Sequence, residues 1–158
     1  MMTFLPDHAQ MEFQQRMAQR PDAVYRLVRK HCAEMVTAKV PDDAEQAASG
    51  LTPLRPEGPV YRGGVEFDFV VTCMDRPLRR RGRVLYGASL SDEPDLEGNI
   101  VRRATEMQLS YQVLIWDDCA EHYVWVDMPD DLLPFEASLL LDDKISEQVL
   151  AQERAAAQ

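Results

Sequence analysis

The stretch Met107-Gln108-Leu109-Ser110-Tyr111-Gln112-Val113-Leu114-Ile115-Trp116, then Asp117-Asp118-Cys119-Ala120, then Glu121-His122-Tyr123-Val124-Trp125-Val126-Asp127-Met128, decides the fold. Both flanks are rich in β-branched and aromatic residues, and a short polar turn separates them, so the segment reads as a β-hairpin. Setting Leu109, Tyr111, Val113 and Ile115 opposite Met128, Val126, Val124 and His122 collects an apolar stripe on one face, which supports that register. The other face then carries Ser110, Gln112, Leu114 and Trp116 beside Asp127, Trp125, Tyr123 and Glu121. Both tryptophans of the chain fall there. Either a helix covers this second face, or it is an exposed aromatic patch of the kind that marks partner surfaces. On the second reading Trp116, Tyr123 and Trp125 are the apolar anchors of a binding site, flanked by acids that suit a basic, apolar partner.

Upstream, Val65 to Met74 and Arg81 to Leu90 read as a second hairpin. Opposing Phe67 with Ala88, Phe69 with Tyr86 and Val71 with Val84 leaves Arg76-Pro77-Leu78-Arg79 as the loop. Five arginines (Arg76, Arg79, Arg80, Arg81 and Arg83) are then expected at a hairpin tip. They read as a solvated loop, as a contact to an acidic partner such as a second copy of this chain, or as a β-ribbon on phosphates. No aromatic side chain interleaves them to stack bases. The whole chain carries a formal charge of −10, so nucleic acid is disfavoured as a partner.

That charge is unevenly placed. Residues 1–103 hold 15 acidic and 15 basic side chains, whereas residues 104–158 hold 12 acidic and 2 basic ones. A basic tip on a body with an acidic C-terminal region is the picture this implies, and it biases partner choice more than fold.

Outward from the hairpins the pattern turns helical. Residues 8–19 are rich in good helix formers. A second helix starts at Pro21, with Asp22 in its first turn and Val24, Leu27, Val28, Cys32, Met35 and Val36 at helical spacing. Residues 40–64 hold four prolines and four glycines and read as a long internal loop, with one helical turn over 42–49. Residues 91–98 read as an acidic loop, and 99–106 as either a short helix or the lead into a strand. From about Asp131 to Ala156, Leu133, Ala137, Leu140, Leu141, Ile145 and Val149 form a helical stripe, with Asp130 or Asp131 as cap and Pro134 tolerated in the first turn. The expected fold is α+β in one domain, 1–158: about four antiparallel strands in two hairpins, N-terminal helices and a long C-terminal helix.

A chain of 158 residues buries roughly 70% of its unfolded surface and folds without metal or disulfide. No apolar run approaches the ~20 residues of a membrane span, and the first residues lack the basic and apolar regions of a secretory leader. Cys32, Cys73 and Cys119 are odd in number and widely spaced. They are expected to be reduced core thiols in a cytoplasmic protein.

Motifs for chemistry are sparse. Cys119 and His122 have a possible metal spacing, with His31 and Cys32 as a second pair, but adjacent helical residues point about 100° apart. Asp117, Asp118, Glu121 and His122 could serve a metal-dependent hydrolase, or simply form a polar turn. There is no Gly-x-Ser-x-Gly, and Gly63-Gly64 do not make a phosphate loop. No catalytic residue, metal or cofactor is therefore expected. In size, acidity and order of elements the chain is similar in outline to small secretion chaperones, which bind partner segments as dimers, and in bulk to small phage-encoded inhibitors. The expected function is a non-enzymatic acidic protein-binding module, an inhibitor, adaptor or chaperone of a larger protein, with a homodimer as one possible state. The alternatives are a structural subunit of a phage-like or secretion assembly, and a metal-dependent hydrolase.

Overall fold

The computed structural model describes residues 2–28, 42–51 and 58–158. It is α+β, as the sequence predicts, but the sheet has five strands and is mixed. In chain order the elements are β1 (Met2–Phe4), α1 (Asp7–Ala18), α2 (Pro21–Val28), α3 (Ala44–Ala48), β2 (Tyr61–Cys73), β3 (Arg76–Pro94), β4 (Ile100–Asp117), β5 (His122–Asp127) and α4 (Phe135–Ala156). The sheet order is β1-β2-β3-β4-β5. The extra strand, β1, is only three residues long and runs parallel to β2 over Glu66–Asp68.

Two compact units emerge, each assembled from three chain segments. One comprises the residues described within Met1–Asp42, Val65–Val84 and Tyr111–Leu139; the other comprises those within Asp43–Gly64, Leu85–Ser110 and Leu140–Gln158.

In the first unit, α1 buries Ala9, Phe13 and Met17, and the Phe13 ring lies 4.8 Å from that of Phe69. The opposite edge of the same helix completes β2. Where β1 ends, the Gln10 and Gln14 amides donate to the Val70 carbonyl and their oxygens accept from the Val70 and Thr72 N–H groups. An edge that would otherwise invite strand pairing is thereby closed by side chains. From α2, Ala23 and Leu27 enter the core. The remainder of its predicted apolar face, Cys32, Met35 and Val36, lies outside the described residues.

The first hairpin departs from its expected register. Its turn is Met74-Asp75, both at positive φ (51° and 61°), the two-residue geometry whose twist matches paired strands. Arg76 to Arg79 are therefore strand, not loop. Gly82 lies beneath the Phe67 ring, and in the second unit Gly63 lies beneath Tyr86. Pairing large rings with glycine fills space better than the expected pairing of Phe67 with Ala88. The slip is an even number of residues, so each side chain keeps its predicted face.

The second hairpin slips less. Val113 pairs with Val126, Leu114 with Trp125, Ile115 with Val124 and Trp116 with Tyr123. Each partner is displaced by two residues from expectation and both faces are preserved. The acidic loop is also shorter than expected. β3 runs on to Pro94, Asn99 closes a turn by accepting from the Asp95 N–H (2.8 Å), and 100–106 is strand, so β3 and β4 form a third hairpin.

The predicted 40–64 loop contains α3, where the Asp43 side chain accepts from the Glu45 and Gln46 N–H groups, and it gives way to β2 at Tyr61; residues 52–57 lie outside the description. The C-terminal helix starts later than expected, at Phe135. Asp130–Leu132 form a 3₁₀ turn instead, and Asp131 pairs with Arg20 (2.7 Å) rather than capping the helix.

In the second unit α4 buries Leu141, Ile145 and Val149 along one stripe, each contributing about 1.5–3 kcal/mol. The Ser146 hydroxyl accepts from the Ala104 N–H (3.3 Å). Tyr86 donates to Gln148 (2.9 Å) and accepts from Gln152 (3.1 Å). Burial pushes the Tyr86 phenol up to about 12, against the opposing pull of the Gln152 hydrogen bond.

Candidate functional site

The arginine run is not a solvated tip. As part of β3 it alternates between the two sides of the sheet. Arg80 shares the face of Val84, Tyr86 and Ala88 and is fully buried (0% exposed). It donates from Nε to the Leu27 carbonyl (2.6 Å) and from a terminal nitrogen to that of Val28 (3.4 Å). Both carbonyls belong to the last turn described for α2, and Arg80 gives them charged donors.

Arg79 and Arg83 take the opposite face. Arg79 pairs with the buried carboxylate of Asp68 (2.7 Å), and its guanidinium lies 5.5 Å from the Phe4 ring centre. Arg83, 4% exposed, pairs with Asp42 (2.7 Å) and donates to the Gln112 oxygen (2.8 Å). It also stacks 4.1 Å from the Trp125 ring centre, a cation–π contact strengthened by its burial. Of the other predicted site residues, Arg76 is exposed and Arg81 half-buried.

Thus two groups expected to act separately meet. Arg83 and Trp125 form one assembly with Asp42, Gln112 and, through Gln112, Asp127 (3.4 Å). Trp116 and Tyr123 stack edge to face at 5.1 Å. Leu114 between them is fully buried, while Trp116, Tyr123 and Trp125 are each half-buried. The face is neither sealed core nor bare patch: it is a braced aromatic surface bordered by exposed Asp118, Glu121 and Asp127.

A second surface escaped the sequence reading. At the turn between β3 and β4, Leu96 stands fully in solvent, with Ile100 (68%) and Val101 (42%) exposed beside it in the chain. Asp92, Glu93, Asp95 and Glu97 precede or interrupt them. The acid-rich composition marked the segment as a solvated loop, and only the hairpin geometry shows that its apolar residues have nowhere to be buried within the turn. Ile100 and Val101 open β4 as successive residues and take opposite faces; exposed apolar side chains in one short segment are one mark of interaction surfaces.

The residues weighed for metal chemistry have local structural roles. The Asp117 carboxylate accepts from the Cys119 and Ala120 N–H groups (2.9 and 3.2 Å), an Asx turn. His122 is exposed, with Nδ1 3.1 Å from the Tyr123 carbonyl. Among the described residues no group of three or more His, Cys, Asp or Glu is placed to hold a metal ion. Cys119 is exposed in its turn and Cys73 half-buried at the end of β2, so neither is the core thiol expected; Cys32 and His31 lie outside the described residues. No described helix is long and apolar enough to cross a membrane. No family model matches the chain, and no curated protein or solved structure is detectably similar to it.

Proposed function

We propose that the chain is a non-enzymatic protein-binding module that acts as an inhibitor, adaptor or chaperone of a larger protein. The observation that carries this reading is the exposed apolar trio Leu96, Ile100 and Val101 among the acids of the β3–β4 turn. Apolar anchors with an acidic surround suit a partner segment that is itself apolar and basic. The braced Trp116–Tyr123–Trp125 surface supplies a further contact of the residue types that dominate binding energy.

The test is an affinity capture from the native source, with wild type beside a Leu96→Ser/Ile100→Ser variant and a Trp116→Ala variant. A single larger protein retained by wild type, and held at least tenfold more weakly by the Leu96→Ser/Ile100→Ser variant, is the expected result. Equal retention by that variant would remove the β3–β4 turn from the interface. Absence of any partner would remove the binding reading itself, and self-association measured on the same sample would then favour an assembly subunit.

A further inference from the structure

The second unit contains a cavity of about 580 Å³ whose lining includes Ser89, Ser91, Glu93, Arg102, Thr105 and Glu106. Its size is that of a small-molecule site. Ser89, Ser91 and Glu93 recur at the two-residue period that places strand side chains on one face. The contacts confirm the row: the Ser91 hydroxyl donates to Glu93 (3.4 Å) and shares a hydrogen bond with the Thr105 hydroxyl (2.9 Å). Ser89 stands at the inner end of this row, 6% exposed, and its Oγ has no hydrogen-bond partner. A buried hydroxyl left in this state gives up the hydrogen bonds it makes to water in the unfolded chain. Such a group is cheap to keep only if something completes it.

Charge decides what that something is. Among the described residues the lining holds one cation, Arg102, which is already held by two carboxylates, Glu153 (2.6 Å) and Asp92 (3.4 Å). Glu93 and Glu106 remain as carboxylates on the wall, with the hydroxyls of Ser89, Ser91 and Thr105 as further oxygen acceptors. This combination repels phosphates and carboxylates. Among the described residues the lining also holds no aromatic ring on which a sugar could stack. An alkylammonium group, which offers three N–H donors and a positive charge, matches a wall of carboxylates and hydroxyl acceptors.

We infer that this cavity binds a primary ammonium group, through Glu93 and Glu106 as counter-charges and the Ser89, Ser91 and Thr105 hydroxyls as acceptors. The ammonium belongs either to a free polyamine or to a lysine side chain of a protein partner. The inference stands on the cavity alone and does not depend on the proposed function; a lysine source would join the two, since the site and the exposed apolar turn share the β3–β4 hairpin.

The experiment is an amide NMR titration of the full chain near physiological salt, with two probes. One is spermidine; the other is the capped peptide acetyl-Leu-Lys-Val-amide, with its norleucine counterpart as control. Saturable shifts at the Ser89, Ser91 and Thr105 amides are expected, with at least tenfold weaker binding in a Glu93→Gln/Glu106→Gln variant. An Asp7→Asn/Glu136→Gln variant, with the same change in net charge at exposed positions elsewhere, is expected to bind as wild type does. Response to spermidine alone assigns a free amine, and response to the lysine peptide but not the norleucine one assigns a partner side chain. Shifts scattered over acidic residues and equal in both charge variants would overturn the inference, because they would report only diffuse attraction to an acidic chain. So would no shift at Ser89, Ser91 and Thr105 at probe saturation in a spectrum that shows the fold intact. Neither failure touches the affinity capture at Leu96 and Ile100.

Discussion

Arg80 shows how far a single side chain can depart from its compositional reading. A run of arginines reads as solvated because buried, unpaired arginine is rare. What the run conceals is parity: Arg80 shares its face with Val84, Tyr86 and Ala88, and the carbonyls it satisfies lie more than fifty residues away in the chain. The alternation was legible; its contact with the α2 carbonyls was not, because it depends on where α2 lies in space. Arg80→Met is expected to destabilise the fold by about 3 kcal/mol, since it strips charged donors from the Leu27 and Val28 carbonyls. Arg76→Met, on an exposed position of the same run, is expected to change stability by less than about 0.5 kcal/mol. Urea unfolding of both variants checks the contrast, and equal effects would return Arg80 to the surface.

Asp142 offers a residue-scale test with a pH signature. Burial, and then the neighbouring Asp143, raise its carboxyl above the ordinary value, with Arg103 acting in the opposite sense. Folding therefore favours the protonated form. Its contribution is fully present below the ordinary carboxylate range and is lost as pH rises through the raised value. Asp142→Asn should melt higher than wild type at neutral pH, and the difference should vanish in acid. A lower melting temperature at neutral pH would contradict the assignment.

At the scale of elements, period outperformed register. The two-residue alternation located β2 to β5 and sorted their faces correctly, because side-chain direction is a local property of a strand. Register is set by turns and by packing between strands, and both first-hairpin cues misled. The apolar pairing of Phe67, Phe69 and Val71 with Ala88, Tyr86 and Val84 fitted one face in a shifted register, and Met74-Asp75 lacks the Asn-Gly signature of a tight turn. β1 was missed because three residues carry no period, and its pairing with β2 is a long-range event. The strained turn yields a prediction: Met74 sits exposed at φ 51° and Asp75 at φ 61°, a region that favours Asn and Gly. Met74→Asn/Asp75→Gly is expected to stabilise the protein by about 1 kcal/mol, read as a rise in the thermal midpoint. Destabilisation would place the turn elsewhere.

For the whole molecule, the charge asymmetry of the sequence is partly dissolved by folding. Asp131 is met by Arg20 and Glu153 by Arg102, and two of the five clustered arginines are buried in β3. The two surfaces proposed for binding are acidic and apolar rather than basic. The aromatic one was legible, since Trp116, Tyr123 and Trp125 fall on one face by simple alternation. The β3–β4 turn was not, because its leucine, isoleucine and valine are ordinary residues whose exposure is a fact of three dimensions.

The most direct measurement is hydrogen exchange on the chain alone and in complex with the protein it captures. Slowed exchange concentrated at residues 95–101 and along β5 is the predicted result. Unchanged exchange at both, with protection elsewhere or nowhere, would contradict a binding module that works through its exposed apolar turn and braced aromatic face.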